Sequence, residues 1–195
     1  MAQRARADRI DATRTKLLAA ARHAFGTLGY ANTSMDEFTA EAGLTRGALY
    51  HHFGDKKGLL AAVVDQIDAE MDTRLQAISD AAPDSWNGFR NRCRAYLEMA
   101  LEPEIQRIVL QDARAVLGGT SLASQQHCIV SMQRTLERLM ERGIVLRSDP
   151  EALARLIFGS LTEAAFWIAD SEDSSDVRLA KALDALEMML SAMLA

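Results

Sequence analysis

Two complete helix signals, each with its own start and stop, lie between Ser34 and Gly54, and this punctuation limits the folds open to the chain more than any other feature. Ser34-Met35-Asp36-Glu37 is a capping box, in which the serine hydroxyl accepts from the N–H three residues on and the glutamate reaches back. Met35, Phe38 and Ala42 then line one face, and Gly43 breaks the helix after about two turns. Thr45 opens a second helix with Leu49 and Phe53 inward at i and i+4, and Gly54 closes it. Helices this short are not stable alone in water, because nucleating the first turn costs more than it returns. They must pack on something, and the short glycine-containing joint Ala42-Gly43-Leu44 predicts that they pack on each other as a helix-turn-helix.

The rest of the chain repeats the helical period of 3.6 and almost never the strand period of 2. Thr13 to Leu28 places Leu18, Ala21, Phe25 and Leu28 in one stripe and ends at Gly29. Asp55 caps a longer helix whose stripe is Leu59, Leu60, Val63, Ile67, Met71, Leu75 and Ile78. Beyond the Pro83-Asp84 loop, helices are predicted over Trp86 to Leu101 and from Pro103 to the Gly118-Gly119 break. Ser121 to Arg142, Glu151 to Ala169 after the Asp149-Pro150 cap, and Val177 to Leu194 follow, the last behind an acidic loop, Asp170 to Asp176. With only 3 prolines in 195 residues and no repeat, the fold class is all-α with about nine helices.

Several function classes drop out. The longest uncharged apolar run, Ala164 to Ala169, is far short of the ~20 residues of a membrane span. Met1 to Arg9 carries arginines with no apolar core behind them and does not read as a signal peptide. Cys93 and Cys128 stand apart, which argues against a disulfide framework or zinc site and suits a reducing cytoplasm. The four histidines, His23, His51, His52 and His127, are scattered or adjacent, so no metal site, no cofactor site and no catalytic cluster is expected; the chain does not read as an enzyme. A redox sensor would need a resolving thiol beside Cys93 or Cys128. Charge is uneven: residues 1–60 hold nine Lys/Arg against six Asp/Glu, and residues 61–195 hold 13 against 21. A basic first third points one end of the protein at a polyanion.

The outward face of the second short helix carries Thr45, Arg46, Gly47, Ala48, Tyr50 and His51, all small, polar or basic, as a helix lying in the major groove requires. Gly47 costs about 1 kcal/mol of helix stability relative to Ala, which makes sense where backbone must approach DNA closely. Tyr50 serves either packing or a phosphate. Lys56 and the first N–H groups of the following helix form an anion-attracting site, as do Thr33 and Ser34.

The run Thr33-Ser34-Met35-Asp36-Glu37-Phe38 through Ala42 to Phe53, with Lys56, Leu59 and Leu60 after it and Leu17 to Ala21, Phe25, Gly29 and Tyr30 before it, resembles the DNA-binding domain of the tetracycline-repressor (TetR) family. Phe38 and Thr39 depart from the more usual small residues. The resemblance implies a bacterial transcription regulator, usually a repressor, with a larger C-terminal domain for dimerisation and a small-molecule inducer. It implies base reading at Thr45, Arg46, Gly47 and Ala48, and phosphate contacts at Thr33, Ser34, Tyr50, His51 and Lys56. The expected organisation is a flexible basic arm over 1–9, whose Arg4, Arg6 and Arg9 either reach DNA or are idle, then a DNA-binding domain over 10–60 with its motif at 33–53. A connecting helix over 61–82 and a ligand-binding and dimerisation domain over 83–195 complete it.

The last two helices are apolar on more than one face: Leu153, Leu156, Ile157, Phe158 and Leu161 on one, Leu183, Leu186, Met188, Met189 and Leu190 on the other. Such helices must be buried on more than one face. A two-fold four-helix bundle made by two copies satisfies them, giving a homodimer on a palindromic double-stranded operator with half-sites about 34–36 Å apart. Pro103 to Gly118 and Glu163 to Ala169 also look like one C-terminal subgroup of the family. The ligand pocket is expected between the helices at 86–101, 121–142 and 151–169. Its expected walls are Phe89, Met99, Met132, Phe166 and Trp167, with Asp112 and Glu163 as polar anchors unless Arg107 or Arg92 satisfies them internally. The function expected is a repressor released by an unidentified inducer; the alternative is a DNA-binding dimer without an inducer, or an activator.

Overall fold

The computed structural model describes residues 2–170 and 174–195, with side chains from Asp11 onward. Its helices are α1 (Ala2–Leu28), α2 (Met35–Glu41), α3 (Arg46–Phe53), α4 (Lys56–Asp80), α5 (Ser85–Glu98, continued by a 3-10 turn, Met99–Leu101), α6, α7 (Leu122–Glu141), α8 (Pro150–Ala169) and α9 (Ser175–Ser191). α6 is composite, a π-helical stretch Ile105–Ala113 followed by an α-helical turn, Arg114–Leu117. Among the described residues the only β pairing is an isolated bridge between Val145 and Leu194.

Local capping chemistry accounts for the boundaries. Ser34, Thr45, Ser121 and Asp149 each accept from the N–H three residues on, opening α2, α3, α7 and α8. Gly29, Gly43, Gly54, Gly118 and Gly143 all have positive φ and end the helices before them. Two boundary details differ from the sequence expectation. α1 runs continuously from Ala2, where a separate arm over 1–9 and a start at Thr13 were expected; its Ala and Arg residues are strong helix formers and no breaker precedes Thr13. The side chains of Arg4, Arg6 and Arg9 lie outside the described residues, as do residues 171–173 of the acidic loop. Leu28 is exposed, and Leu17 holds the buried place beside Leu18, Ala21 and Phe25.

The chain divides into two compact units, and the division is not contiguous: residues 1–67 cluster with 107–120, and 68–106 with 121–195. The cut falls inside α4, and most of α6 belongs with α1 to α3. In the first unit Leu17, Ala21 and Phe25 of α1, Phe38 of α2, Leu49 of α3 and Leu59, Leu60 and Val63 of α4 are buried, with Ile108 and Ala113 of α6. In the second, α8 packs against α7, α5 and α9, and Phe89, Leu97, Leu136, Ile157, Ile168 and Leu190 form the core. α8 is long and apolar enough to cross a membrane by composition, which the count of uncharged residues alone did not suggest, yet only 33% of its apolar window is buried within the chain. Its opposite face leaves Leu156 at 69% and Trp167 at 42% exposure, and Met188 of α9 stands at 72%.

Candidate nucleic-acid interface

The α2–α3 joint is built by backbone alone. Gly43 takes φ +66, and the N–H of Leu44 donates to Thr39 O at 2.8 Å, turning the chain between the helices. Leu49 is fully buried and fixes α3 by its inner face. That rotation leaves Thr45, Arg46, Gly47, Tyr50 and His51 exposed and Ala48 half-buried, so the residues expected to read bases are brought together on one surface. Gly47 has open space around it, the nearest atom to an added Cβ being Thr45 Oγ1 at 3.9 Å.

Arg46 is held before any partner arrives. Its Nη1 donates to both carboxylate oxygens of Asp36 at 3.1 Å, and its Nη2 donates to the Tyr50 hydroxyl at 3.1 Å. The hydrogen bond to Tyr50 and the charge of Asp36 both push the guanidinium pKa up, so it stays charged. Tyr50, given two readings from sequence, is exposed with its hydroxyl tied to Arg46. Asp36 was missed by sequence reasoning, because its relation to Arg46 exists only once the turn folds α2 beside α3. His51 and His52 meet edge-on at 5.5 Å between ring centroids.

Around the start of α4, Asp55 Oδ1 accepts from Gly58 N at 2.7 Å. Lys56 Nζ sits 4.5 Å from the centre of the Tyr30 ring. Burial lowers the Lys56 pKa and the nearby charge of Asp112 opposes that shift. Thr33 is a correction: it is buried and its hydroxyl donates to Gly29 O at 2.8 Å, so that group braces the turn rather than facing outward. Ser34 is half-buried with its oxygen accepting from Glu37 N at 3.3 Å.

The expected ligand-pocket residues do not come together. Asp112 belongs to the first unit, where its carboxylate accepts from Tyr30 N at 2.7 Å and lies 3.7 Å from Arg107 Nε; this internal partnership takes the place of the ligand-anchor role. Phe89 and Met99 are buried in the core of the second unit, because α5 turns that face inward, and Met132 and Phe166 are half-buried. Trp167 lines an apolar cavity of about 350 Å³ between α5, α8 and α9 with Leu97, Leu161, Ala164, Leu186 and Met189. Trp167 and Glu163 also line an open groove along α8 with Leu156, Gly159 and Ser160. In the expected region between α5, α7 and α8 there is a polar cluster. Arg92 pairs with Asp72 and donates to Gln76 at 3.2 Å, and His127 Nε2 lies 3.7 Å from Asp72. Tyr96 shares a hydrogen bond with Thr162, and burial pushes its phenol up to about 12. Tyr96 and Asp72 escaped sequence reasoning because each sits within an ordinary helical pattern. Among the described residues no group of His, Cys, Asp and Glu is arranged to hold a metal.

Residues 17–63 match the family described as bacterial regulatory proteins, tetR family, and residues 86–193 match its tetracyclin repressor-like C-terminal domain. The chain belongs to the TetR family. A solved TetR-family transcriptional regulator from Pectobacterium atrosepticum is 66% identical, with a TM-score of 0.91, covering 96% of this chain and 97% of that one. The Transposon Tn10 TetC protein of Escherichia coli is 25% identical over 166 residues, 84% of each chain. The HTH-type transcriptional regulator CymR of Pseudomonas putida is 28% identical over 184 residues, 90% of each. As a TetR-family protein the chain is a DNA-binding transcription regulator, and α2 and α3 are its helix-turn-helix. Members of the family dimerise and bind small-molecule ligands.

Proposed function

We propose that the protein acts in the bacterial cytoplasm as a homodimeric repressor, seated on a palindromic operator and released by a small-molecule inducer. The observation that carries the reading is the outward face of α3, where Gly47 leaves the backbone bare beside a preset Arg46. Thr45, Arg46, Gly47 and Ala48 face the base edges. Ser34, Tyr50, His51 and Lys56 meet phosphates, positioning the helix without reading sequence.

Dimerisation is supported by the second apolar face of α8 and by Met188 of α9. Left in water, Leu156, Trp167 and Met188 form the kind of apolar surface that marks an interface. The small residues Gly159, Ser160 and Ala164 between them let another helix approach closely. The inducer is received in the second unit. The cavity lined by Trp167 is of a size that suits a small lipophilic molecule, and Ser160 and Lys181 supply polar groups in its lining. A ligand lowers operator occupancy only by preferring one conformer, and coupling of about 1–3 kcal/mol, a 5–150-fold change in affinity, is typical.

The test combines light scattering with anisotropy on duplexes from the gene's own upstream region at low and moderate salt. A two-copy particle that binds one duplex with steep salt dependence is expected, and Leu156→Glu with Met188→Glu is expected to yield single chains that bind weakly. A folded single chain indifferent to every upstream duplex refutes the reading. Lipophilic compounds that raise the melting temperature and lower operator affinity support the inducer. Compounds that raise operator affinity instead contradict release by an inducer.

A further inference from the structure

Arg107 and Asp112 are five residues apart on α6, a spacing that an α-helix turns roughly 140° around its axis. The π-helical winding of Ile105–Ala113 changes that, because i to i+5 hydrogen bonds widen the turn and bring residues five apart onto the same side of the helix. Both side chains consequently meet the same turn, the one joining α1 to α2. Asp112 Oδ2 accepts from Tyr30 N at 2.7 Å, and Arg107 Nη2 donates to Leu28 O at 3.4 Å. Between those two points lies Gly29, with φ +78; a Cβ there would fall 1.8 Å from Arg107 Nη2, so the missing side chain is what admits the guanidinium. The gripped turn leads directly into the helix-turn-helix. Gly29 O receives the Thr33 hydroxyl, and the Tyr30 ring carries Lys56.

We propose that Arg107 and Asp112 are positioning residues for DNA binding, a two-point clamp on the Leu28–Tyr30 turn that the π register of α6 aligns. The clamp rests on the DNA-binding role of α3 but touches no DNA itself. Its effect is to hold the backbone before α2, and the Tyr30 platform under Lys56, in one geometry. A purely structural explanation also exists, since Leu28 O and Tyr30 N are helix-end groups that any polar side chain could satisfy. The two explanations part on which substitutions matter to affinity.

The test uses the full chain and its upstream duplex, with each variant studied at a temperature where circular dichroism shows it folded. Asp112→Ala is expected to weaken binding about tenfold, as for loss of one charge-assisted hydrogen bond. Asp112→Asn keeps an acceptor for Tyr30 N and stays within about threefold of the parent. Arg107→Ala weakens binding similarly, and the double variant is no weaker than the worse single one, because both remove one device. The slope of log affinity against log salt falls by about one phosphate contact in Asp112→Ala, which a merely structural role would not change. Parental affinity in Asp112→Ala, or additive losses in the double variant, overturns the proposal. If Asp112→Ala does not fold, Arg107→Ala and Asp112→Asn decide the matter by the same criteria. A parent protein that binds no duplex fails the DNA-binding role instead, which separates the two failures.

Discussion

Replacing Gly47 with Ala should make the protein more stable and a worse DNA binder at once. An added Cβ meets nothing closer than Thr45 Oγ1 at 3.9 Å, and Gly47 is not among the glycines with positive φ. The helix-propensity gain is therefore not opposed by strain. Because the site lies in the first turn of α3, the gain is about 0.5–1 kcal/mol. The first unit comprises residues 1–67 and 107–120, a size at which each kcal/mol moves the midpoint by about 4–8 °C, so the expected rise is roughly 2–8 °C. Against DNA the same methyl intrudes where backbone meets the groove, and overpacking a close contact costs about 1–3 kcal/mol, or roughly 5- to 150-fold in affinity per half-site. Melting followed by circular dichroism reads the stability. Trp86 and Trp167 both lie in the second unit, so their emission is an internal control. Anisotropy on the upstream duplex reads binding. Unchanged affinity would refute the placement of Gly47 against DNA, and a lower midpoint would refute the open space around it.

Gly58→Ala should do the opposite of an ordinary helix substitution. The added Cβ falls 2.1 Å from the backbone oxygen of Phe53, which cannot step aside as a side chain could, so about 1–3 kcal/mol of stability is lost despite the propensity gain; a raised midpoint in calorimetry would contradict this. Arg46→Ala should relax base preference at one position per half-site, since the guanidinium is preset by Asp36 and Tyr50 to face outward. Equal losses across a panel of operator variants would count against base reading by Arg46. Tyr96 should contribute stability that is complete below pH 10, its ordinary pKa and that of the unfolded chain, and that disappears as pH rises toward 12, the folded value, because only the unfolded phenol ionises in that window. Absorbance at 295 nm together with melting midpoints checks it, and a native phenol titrating near 10 would show that burial does not hold it neutral.

The helix-turn-helix was legible because its signals are local. Ser34 caps three residues from its partner N–H, Thr45 does the same for Ala48, and the positive φ at Gly43 needs only the absence of a side chain. Once those boundaries stand, the rotation of α3 follows from burying Leu49, and the outward residues follow from that. The ligand side was poorly legible. Met99 and Phe89 have the residue types of a pocket wall and are core, because α5 could present either face until its neighbours were in place. Leu28 continued a stripe in sequence and lies outside the core in space.

Local sequence therefore determined most element boundaries, the all-helical class and the outward face of α3, since capping, helix breaking and periodicity each act within a few residues. Tertiary structure alone decided that Asp112 meets Tyr30 across 82 positions, that α6 belongs with the DNA-binding unit, and that its π winding lines up Arg107 with Asp112. Contacts between distant segments leave no periodic trace in a chain. They come into being only when packing selects one helix face out of several that the same residues could have buried.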